Sequence, residues 1–198
     1  AVSLVMRPGL TDLDELIEHG AGEAAWSVFG ASWPSGDPGG IGPVRQGRAA
    51  VQDEGSQLAA LALALGADDL VRAQDDHWLD LCAGPGGKTA LLGGLTVGHD
   101  AELLAVELQP HRTELVDRSV AALQEAGCEI RTRTADGTTI GAELPGRFSR
   151  VLVDAPCTGL GALRRRPEAR WRRTPGDIGS LAGLQRELLA SALDAAAP

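Results

Sequence analysis

The chain has 198 residues and a formal net charge of −9; 43% of its residues are hydrophobic and 3% are aromatic. This length suffices for one domain with a real core, and the acidic balance excludes nucleic-acid binding through the overall charge. Its three cysteines lack the spacing of a disulfide framework or a zinc site, which predicts a cytoplasmic protein without a metal. No apolar run is long enough to span a membrane, and we expect a monomer with no membrane partner.

The first 42 residues predict an amino-terminal segment, either a linker or a small subdomain. It would contain a strand over residues 1–7, a helix over 12–19 capped by Thr11, a strand over 24–33 and a Pro/Gly-rich stretch over 34–42. Residues 43–198 are then predicted to form the second domain.

Strands alternate with helices in this second region. The predicted strands cover residues 78–81, 102–106, 129–134 and 148–153, and the predicted helices cover 58–65, 110–126 and 180–197. A polar loop is predicted over residues 155–179. The alternation indicates an α/β fold with a doubly wound, mostly parallel sheet, whose ligand site lies at the carboxyl ends of the strands.

The turn after the first of these strands carries three glycines and a proline within four residues. It runs Cys82-Ala83-Gly84-Pro85-Gly86-Gly87-Lys88-Thr89. A P-loop would need glycine at Cys82, and the G-x-G-x-x-G pattern would need glycine at Thr89, so both patterns fail. Glycines directly after a strand nevertheless favour a close approach of the backbone to a ligand. A tight turn without a ligand is the alternative.

Acids follow the next two strands. Glu107 lies 20 residues beyond Gly87, where nucleotide-binding sheets place a carboxylate for the ribose hydroxyls. Asp136 follows the third strand and would line the adenine end of such a pocket. Asp136 is equally well explained as a turn residue before Gly137.

The fourth strand leads into Asp154-Ala155-Pro156-Cys157-Thr158-Gly159. A carboxylate and a thiol at the end of a central strand suit methylation of a pyrimidine at C5. A thiolate that adds to C6 makes C5 nucleophilic, and the acid stabilises the charge that develops on the ring. Cys157 as a buried bystander thiol is the alternative.

A basic island follows over residues 164–173, with six arginines and one glutamate. The residues predicted to contact RNA are Arg164, Arg165, Arg166, Arg170 and Trp171. Arginines can bind phosphates and Trp171 can stack on a base. A solvated basic loop is the alternative.

Together, these motifs resemble the Fmu/Sun-type (NOL/NOP/Sun) RNA cytosine-C5 methyltransferases over roughly residues 44–198. The resemblance extends to Val51-Gln52-Asp53-Glu54-Gly55-Ser56-Gln57 and to Leu184-Gln185. It implies a class I methyltransferase fold, truncated before its last strands, with S-adenosylmethionine as cofactor and ribosomal RNA as partner. Residues 43–198 would then be the cofactor-binding domain.

By position in these motifs, the resemblance implies a cofactor loop, a ribose ligand at Glu107, an adenine contact at Asp136, and catalytic roles for Asp154 and Cys157. Asp154 would also touch the cofactor. The cofactor loop would consist of Cys82, Ala83, Gly84, Pro85, Gly86, Gly87 and Lys88. Two positions depart from the family: Gly84 stands where alanine is usual, and Glu107 stands where aspartate is frequent.

In the family, the cysteine at the position of Cys157 is associated with product release. The covalent nucleophile lies in a Thr-Cys-Ser motif on the following strand, which this sequence does not contain. We therefore expect the chain to be an inactive fragment of an RNA methyltransferase. Two alternatives stay open: a non-catalytic RNA-binding or ribosome-assembly module with a cofactor pocket, or an enzyme in which Cys157 itself is the nucleophile.

Overall fold

A computed structural model describes residues 2–66, 76–163, 167–172 and 174–198. Its first elements in chain order are β1 (Val2–Met6), α1 (Leu13–Glu18), β2 (Gly22–Glu23), β3 (Gly30–Trp33), α2 (Gly42–Arg45) and β4 (Ala49–Val51). The four strands form an antiparallel sheet with the order β2-β3-β1-β4. This amino-terminal sheet continues past residue 42, because β4 pairs with β1. The division of the chain into two domains stays a prediction.

The second sheet holds the parallel strands. Its elements are α3 (Glu54–Gly66), β5 (His77–Leu81), α4 (Gly87–Leu95), β6 (Glu102–Glu107), α5 (Pro110–Glu125), β7 (Ile130–Thr134), α6 (Ile140–Glu143), β8 (Arg150–Val153), α7 (Ala169–Arg172) and α8 (Pro175–Ala195). The strand order is β7-β6-β5-β8, and every pairing is parallel. The predicted α/β fold with a parallel sheet is confirmed.

Two helix starts differ from the prediction. Asp12, not Thr11, caps α1, and its side chain accepts a hydrogen bond from the third residue of the helix. The last helix begins at Pro175 and not at residue 180, because Thr174 and Asp177 form a capping box. The proline itself favours a first helical position, since it has no N–H to satisfy.

The parallel sheet is buried on both faces, as its apolar central strand requires. Trp78 packs with residues of α3, α4 and α5, whereas Leu79 and Leu81 pack with α6 and α8 on the opposite face. Val5 of β1 is fully buried in the same cluster as Trp78. The amino-terminal sheet therefore contributes Val5 to this cluster, whereas its other buried residues, among them Leu4, Met6 and Ala31, form a cluster of their own.

Candidate cofactor and active site

The glycine-rich turn forms a tight loop between β5 and α4. Gly86 is the N-cap of α4 with a φ of 101°, and a Cβ there would lie 2.9 Å from the Cα of Val116. Only glycine combines this backbone conformation with such close packing on α5. The Ser119 hydroxyl of the same helix donates to the Pro85 carbonyl at 3.1 Å, and the Gly84–Pro85 peptide is cis. The loop therefore has a defined shape, and the first N–H groups of α4 point away from the helix toward its amino-terminal end.

Glu107 lies at the end of β6 and is almost fully buried beside this loop. Its carboxylate accepts hydrogen bonds from the backbone N–H groups of Gly84 at 3.0 Å and Gln109 at 3.1 Å. Arg112 forms an ion pair with the same carboxylate at 3.4 Å and donates to the Gly84 carbonyl at 2.6 Å. Glu107 and Arg112 thus fix the loop from the α5 side. The predicted ribose contact of Glu107 stays a prediction.

A cleft of about 520 Å³ opens in front of the loop. It brings together most of the predicted loop residues with the acid that follows β8, and it also includes residues from the amino-terminal sheet. Its lining residues are Val51, Gln52, Asp53, Ser56, Asp80, Cys82, Ala83, Gly84, Pro85, Gly87, Lys88 and Asp154.

Lys88 and Asp154 join the two sides of this cleft. The Lys88 ammonium donates to the Asp154 carboxylate at 2.7 Å, with Lys88 mostly buried and Asp154 more than half exposed. The loop that carries Asp154 is held from α8, because the Gln185 amide donates to the Pro156 carbonyl at 2.8 Å. A carboxylate and a cation are therefore paired with each other at the lining of the cleft.

Asp80 is a site residue that the sequence analysis did not single out. It is 1% exposed, and one oxygen accepts a hydrogen bond from the Thr89 hydroxyl at 2.7 Å. The other oxygen, Oδ1, is buried and has no hydrogen-bond partner among the residues that the structure describes. Burial raises the pKa of Asp80 to about 7. An acid in the middle of the apolar run from Trp78 to Leu81 was the signal that could have identified it.

A second, more apolar cavity of about 200 Å³ lies next to the first and shares Cys82 with it. Glu107 and Asp136 both line this cavity, together with Leu184 and Leu188 of α8. The Asp136 carboxylate accepts hydrogen bonds from the backbone and hydroxyl of Thr138, and these bonds lower its pKa. Asp136 is thus a turn residue that also borders the cavity. Its role at an adenine ring stays a prediction.

The three cysteines have different surroundings. Burial and the nearby Glu107 carboxylate raise the pKa of the Cys82 thiol to about 12. Burial also raises the pKa of Cys128. This residue lies on the connection between α5 and β7, away from the cleft. Cys157 is exposed on the loop after β8. A raised pKa disfavours the thiolate, so Cys82 is poorly suited to act as a nucleophile.

Part of the basic island can be described. Trp171 is 80% exposed on the short helix α7, and the Arg170 guanidinium lies 4.9 Å from the centroid of its ring. Both side chains are therefore open to solvent, away from the core. Arg164, Arg165 and Arg166 lie outside the described residues.

The described ranges show neither a metal site nor a membrane span. They contain no group of three or more His, Cys, Asp or Glu side chains placed to hold a metal ion. In the same part of the chain, no helix is both long enough and apolar enough to cross a membrane.

A parallel α/β sheet with a glycine-rich loop after its central strand and acids after the neighbouring strands defines a nucleotide-type cofactor fold. Comparison with known proteins identifies the family to which this fold belongs. Residues 68–197 match the family model described as 16S rRNA methyltransferase RsmB/F. The chain belongs to this family, and the resemblance to the Fmu/Sun-type enzymes is confirmed.

Named relatives agree with this assignment. A Mycobacterium tuberculosis (strain H37Rv) protein provisionally named as a methyltransferase is 52% identical over 194 residues, which are 98% of this chain and 40% of that protein. Ribosomal RNA small subunit methyltransferase B of Sodalis glossinidius is 37% identical over 148 residues, 74% of this chain and 31% of the relative. The chain therefore spans less than half the length of these relatives.

Solved structures support the fold. A methyltransferase homologue from Pyrococcus horikoshii superposes with a TM-score of 0.78 at 22% identity, covering 100% of this chain and 61% of the other. NSun6 from the same organism gives a TM-score of 0.66 at 23% identity, over 88% of this chain and 43% of its own.

Proposed function

We propose that this chain is the cofactor-binding part of an enzyme that transfers a methyl group from S-adenosylmethionine to C5 of a cytosine in ribosomal RNA. The observation that carries the proposal is the meeting of the glycine-rich loop with the Lys88–Asp154 pair in one cleft. Family membership supports the reaction class, and residues 43–198 would form the methyltransferase domain.

The residues present fit the cofactor. The loop Cys82–Lys88 offers a backbone cradle at the start of a helix, and the cavity beside Glu107 and Asp136 is a mostly apolar space suited to adenine. Buried polar atoms of Gln52 and Asp80 in the cleft lack hydrogen-bond partners in the described structure, which a polar ligand would supply. When bound, S-adenosylmethionine supplies an electrophilic methyl group on a sulfonium.

The Asp154 and Lys88 side chains support cytosine as the acceptor. A carboxylate can accept hydrogen bonds from the exocyclic amine and from a protonated ring nitrogen, and an ammonium can donate to the exocyclic carbonyl oxygen at C2. In the proposed reaction a thiolate adds to C6, C5 takes the methyl group, and loss of the C5 proton and of the thiolate restores the ring. Asp154 and Lys88 would stabilise the charge on the ring during addition.

Cys157 is proposed to act in product release, with the covalent nucleophile supplied by a cysteine that this sequence does not contain. Arg164, Arg165, Arg166, Arg170 and Trp171 would contact the RNA strand. The target base would be turned out of its stack to reach the cleft.

The test uses the full gene product with 16S ribosomal RNA and S-adenosylmethionine. We expect the Cys157→Ala variant to accumulate a covalent protein–RNA adduct that survives denaturing electrophoresis, because the adduct forms but does not resolve. Cys128→Ala serves as the matched control and should turn over without an adduct.

Other outcomes would decide against the proposal in different ways. Loss of both activity and adduct in Cys157→Ala would make Cys157 the nucleophile. Normal turnover without adduct would remove Cys157 from the reaction. RNA binding by the wild-type gene product without any methyl transfer would favour a non-catalytic assembly module.

A further inference from the structure

The loop that follows β8 carries Cys157, and side chains of α4 and α8 hold the loop in place. Asp154, at the start of the loop, accepts a hydrogen bond from the Lys88 ammonium at 2.7 Å. Further along, the Pro156 carbonyl accepts a hydrogen bond from the Gln185 side-chain amide at 2.8 Å. This carbonyl belongs to the peptide unit that leads directly into Cys157. Gln185 is therefore bonded to the residue immediately before the cysteine.

The proline ring increases the effect of this hydrogen bond on the backbone. In any proline the ring fixes φ at about −65°, so ψ is the backbone angle of Pro156 that stays free. Rotation about ψ moves the Pro156 carbonyl and the Cys157 N–H together, because both belong to one planar peptide. A donor bonded to that carbonyl therefore fixes the direction in which the chain enters Cys157.

The helix α8 gives the Gln185 side chain a rigid support. Leu188, one turn further along α8, is 3% exposed and belongs to the core on one face of the parallel sheet. The Ser191 hydroxyl is also buried and donates to the Gly137 carbonyl at 2.7 Å. Cys157, in contrast, is exposed. The position of its thiol is thus set from the core through α8 and Gln185.

We propose that Gln185 is a positioning residue for the product-release step and that it acts through Cys157. The assignment rests on the proposed function, in which Cys157 serves this step. The C5–H bond breaks and its electron pair closes the C5–C6 double bond, while the C6–S bond breaks and its pair leaves with the thiolate of the nucleophile. The C5 proton passes to the Cys157 thiolate, so this sulfur must lie beside C5. Methyl transfer does not need the Cys157 sulfur and should not need Gln185.

The test separates methyl transfer from product release in the full gene product. In a single turnover with methyl-labelled S-adenosylmethionine and 16S ribosomal RNA, label in the total RNA measures transfer. Labelled RNA that stays attached to protein on a denaturing gel measures release. We expect Gln185→Met, which keeps the side-chain length but cannot donate, to slow release by about 3- to 10-fold, as the loss of one hydrogen bond does. The rate of methyl transfer should stay within about 2-fold.

Further variants keep the result interpretable. Gln124→Met removes the same kind of bond away from the cleft, since the Gln124 amide donates to the Ile130 carbonyl at 2.8 Å, and it should change neither rate. Gln185→Glu has the shape of glutamine without the amide donor and should repeat the slow release if Gln185→Met folds poorly. Gln185→Lys restores a donor and should recover most of the rate. Because Gln185 acts through Cys157, adding Gln185→Met to Cys157→Ala should not lengthen the lifetime of the adduct further.

An unchanged rate of release in both Gln185→Met and Gln185→Glu would overturn the inference. Equal slowing of transfer and release would show that Gln185 supports the site as a whole, and further slowing in the Cys157→Ala background would show that it acts through another residue. Each of these results overturns the inference and leaves the proposed function standing. If Cys157→Ala itself accumulated no adduct, the proposed role of Cys157 would be wrong, and this assignment with it.

Discussion

At the level of single residues, the buried Asp80 carboxyl group lowers the stability of the folded chain at neutral pH. Burial is the main cause of its raised pKa of about 7, and the charges of Asp154 and Glu107 raise it further. The Thr89 hydroxyl and the Lys88 ammonium act in the opposite direction. The folded chain therefore holds a proton on Asp80 over a pH range in which the unfolded chain has released it.

This difference has a defined sign. Between about pH 4 and about pH 7 the folded state binds more protons at Asp80 than the unfolded state, so this contribution to stability falls as the pH rises. Asp80→Asn stays neutral at every pH and can still accept a hydrogen bond from Thr89. We expect the melting temperature of Asp80→Asn relative to wild type to rise across this window and to be a few degrees higher at about pH 8.

Scanning calorimetry at several pH values checks this expectation. The exposed Asp14→Asn is the matched control and should show no such trend. A melting-temperature difference for Asp80→Asn that is independent of pH would contradict the assignment.

The side chains at positions 84 and 107 share a limited space, so a larger residue at one position requires a smaller residue at the other. A Cβ on Gly84 would clash with the Glu107 Oε2 atom and lie 2.9 Å from the Arg112 Nε atom. Gly84→Ala alone should therefore destabilise the chain by about 1–3 kcal/mol, as overpacking does. The shorter acid in Gly84→Ala/Glu107→Asp makes room for the methyl group and should recover much of this loss.

A double-mutant cycle measures the free energy of unfolding of each variant in urea. We expect the double variant to be more stable, by more than about 1 kcal/mol, than the sum of the two single effects predicts. Additive effects of the two substitutions would mean that the Glu107 side chain moves aside without cost. Glu107→Asp alone completes the cycle and should lose the hydrogen bond to the Gly84 N–H.

The residues of the site were only partly predictable from the sequence. The sequence could predict that the glycine-rich loop and Asp154 line one cleft and that Glu107 lies beside the loop, because glycine spacing and acids after strands are local signals. The roles of these residues stay predictions. Gln52 could not be found in this way, since its position depends on the pairing of β4 with β1, which are far apart in the sequence.

At the scale of elements, Arg150 joins the first residue of β8 to the end of α3. It is 3% exposed, and its guanidinium donates to the carbonyls of Leu63 and Ala64, both at 2.7 Å. The same group lies 4.9 Å from the centroid of the Trp78 ring. These contacts satisfy carbonyls at the helix end and pack the strand against it.

Arg150→Met keeps the length of the side chain but leaves these carbonyls without a charged donor. We expect the free energy of unfolding to fall by about 2–4 kcal/mol and the melting temperature, measured by circular dichroism, to fall by roughly 5–10 °C. Arg118→Met, at a side chain 73% exposed, is the control and should change little. A similar melting temperature for both variants would show that the Arg150 contacts contribute no net stability.

Element types were largely predictable, but some boundaries and pairings were not. The strands β5, β6 and β8 could be predicted from their apolar runs. A parallel sheet that is covered on both faces has strands with continuous apolar sequence. The start of α8 was placed five residues too late, although the capping residues Thr174 and Asp177 are in the sequence. They lie within a polar, arginine-rich stretch that resembles a loop by composition.

At the scale of the whole molecule, charge is distributed very unevenly. The chain carries −9 overall, yet residues 164–173 contain six of its arginines. If this island binds RNA, affinity should fall steeply with salt, because bound arginines release counterions from the phosphates. The remainder of the chain is acidic and would repel the RNA phosphates.

Replacing Arg164, Arg165 and Arg166 by glutamine tests the island. We expect weaker binding of a 16S ribosomal RNA hairpin and a salt slope that is shallower by about 2, at roughly 0.7 per charge removed. Fluorescence anisotropy over a salt series measures both quantities. Arg118→Gln, outside the island, should leave the slope unchanged, and an unchanged slope for the triple variant would refute RNA contact by these arginines.

The contact between Gly84 and Glu107 also restricts the evolutionary route to this site. The resemblance to the Fmu/Sun-type enzymes implies alanine at the position of Gly84 and often aspartate at that of Glu107, so two substitutions would separate such a relative from this chain. If aspartate lengthened to glutamate first, the carboxylate would collide with the alanine methyl group, whereas loss of that methyl group first opens the space. Lineages with glycine at position 84 should therefore carry either acid, and lineages with alanine should retain aspartate.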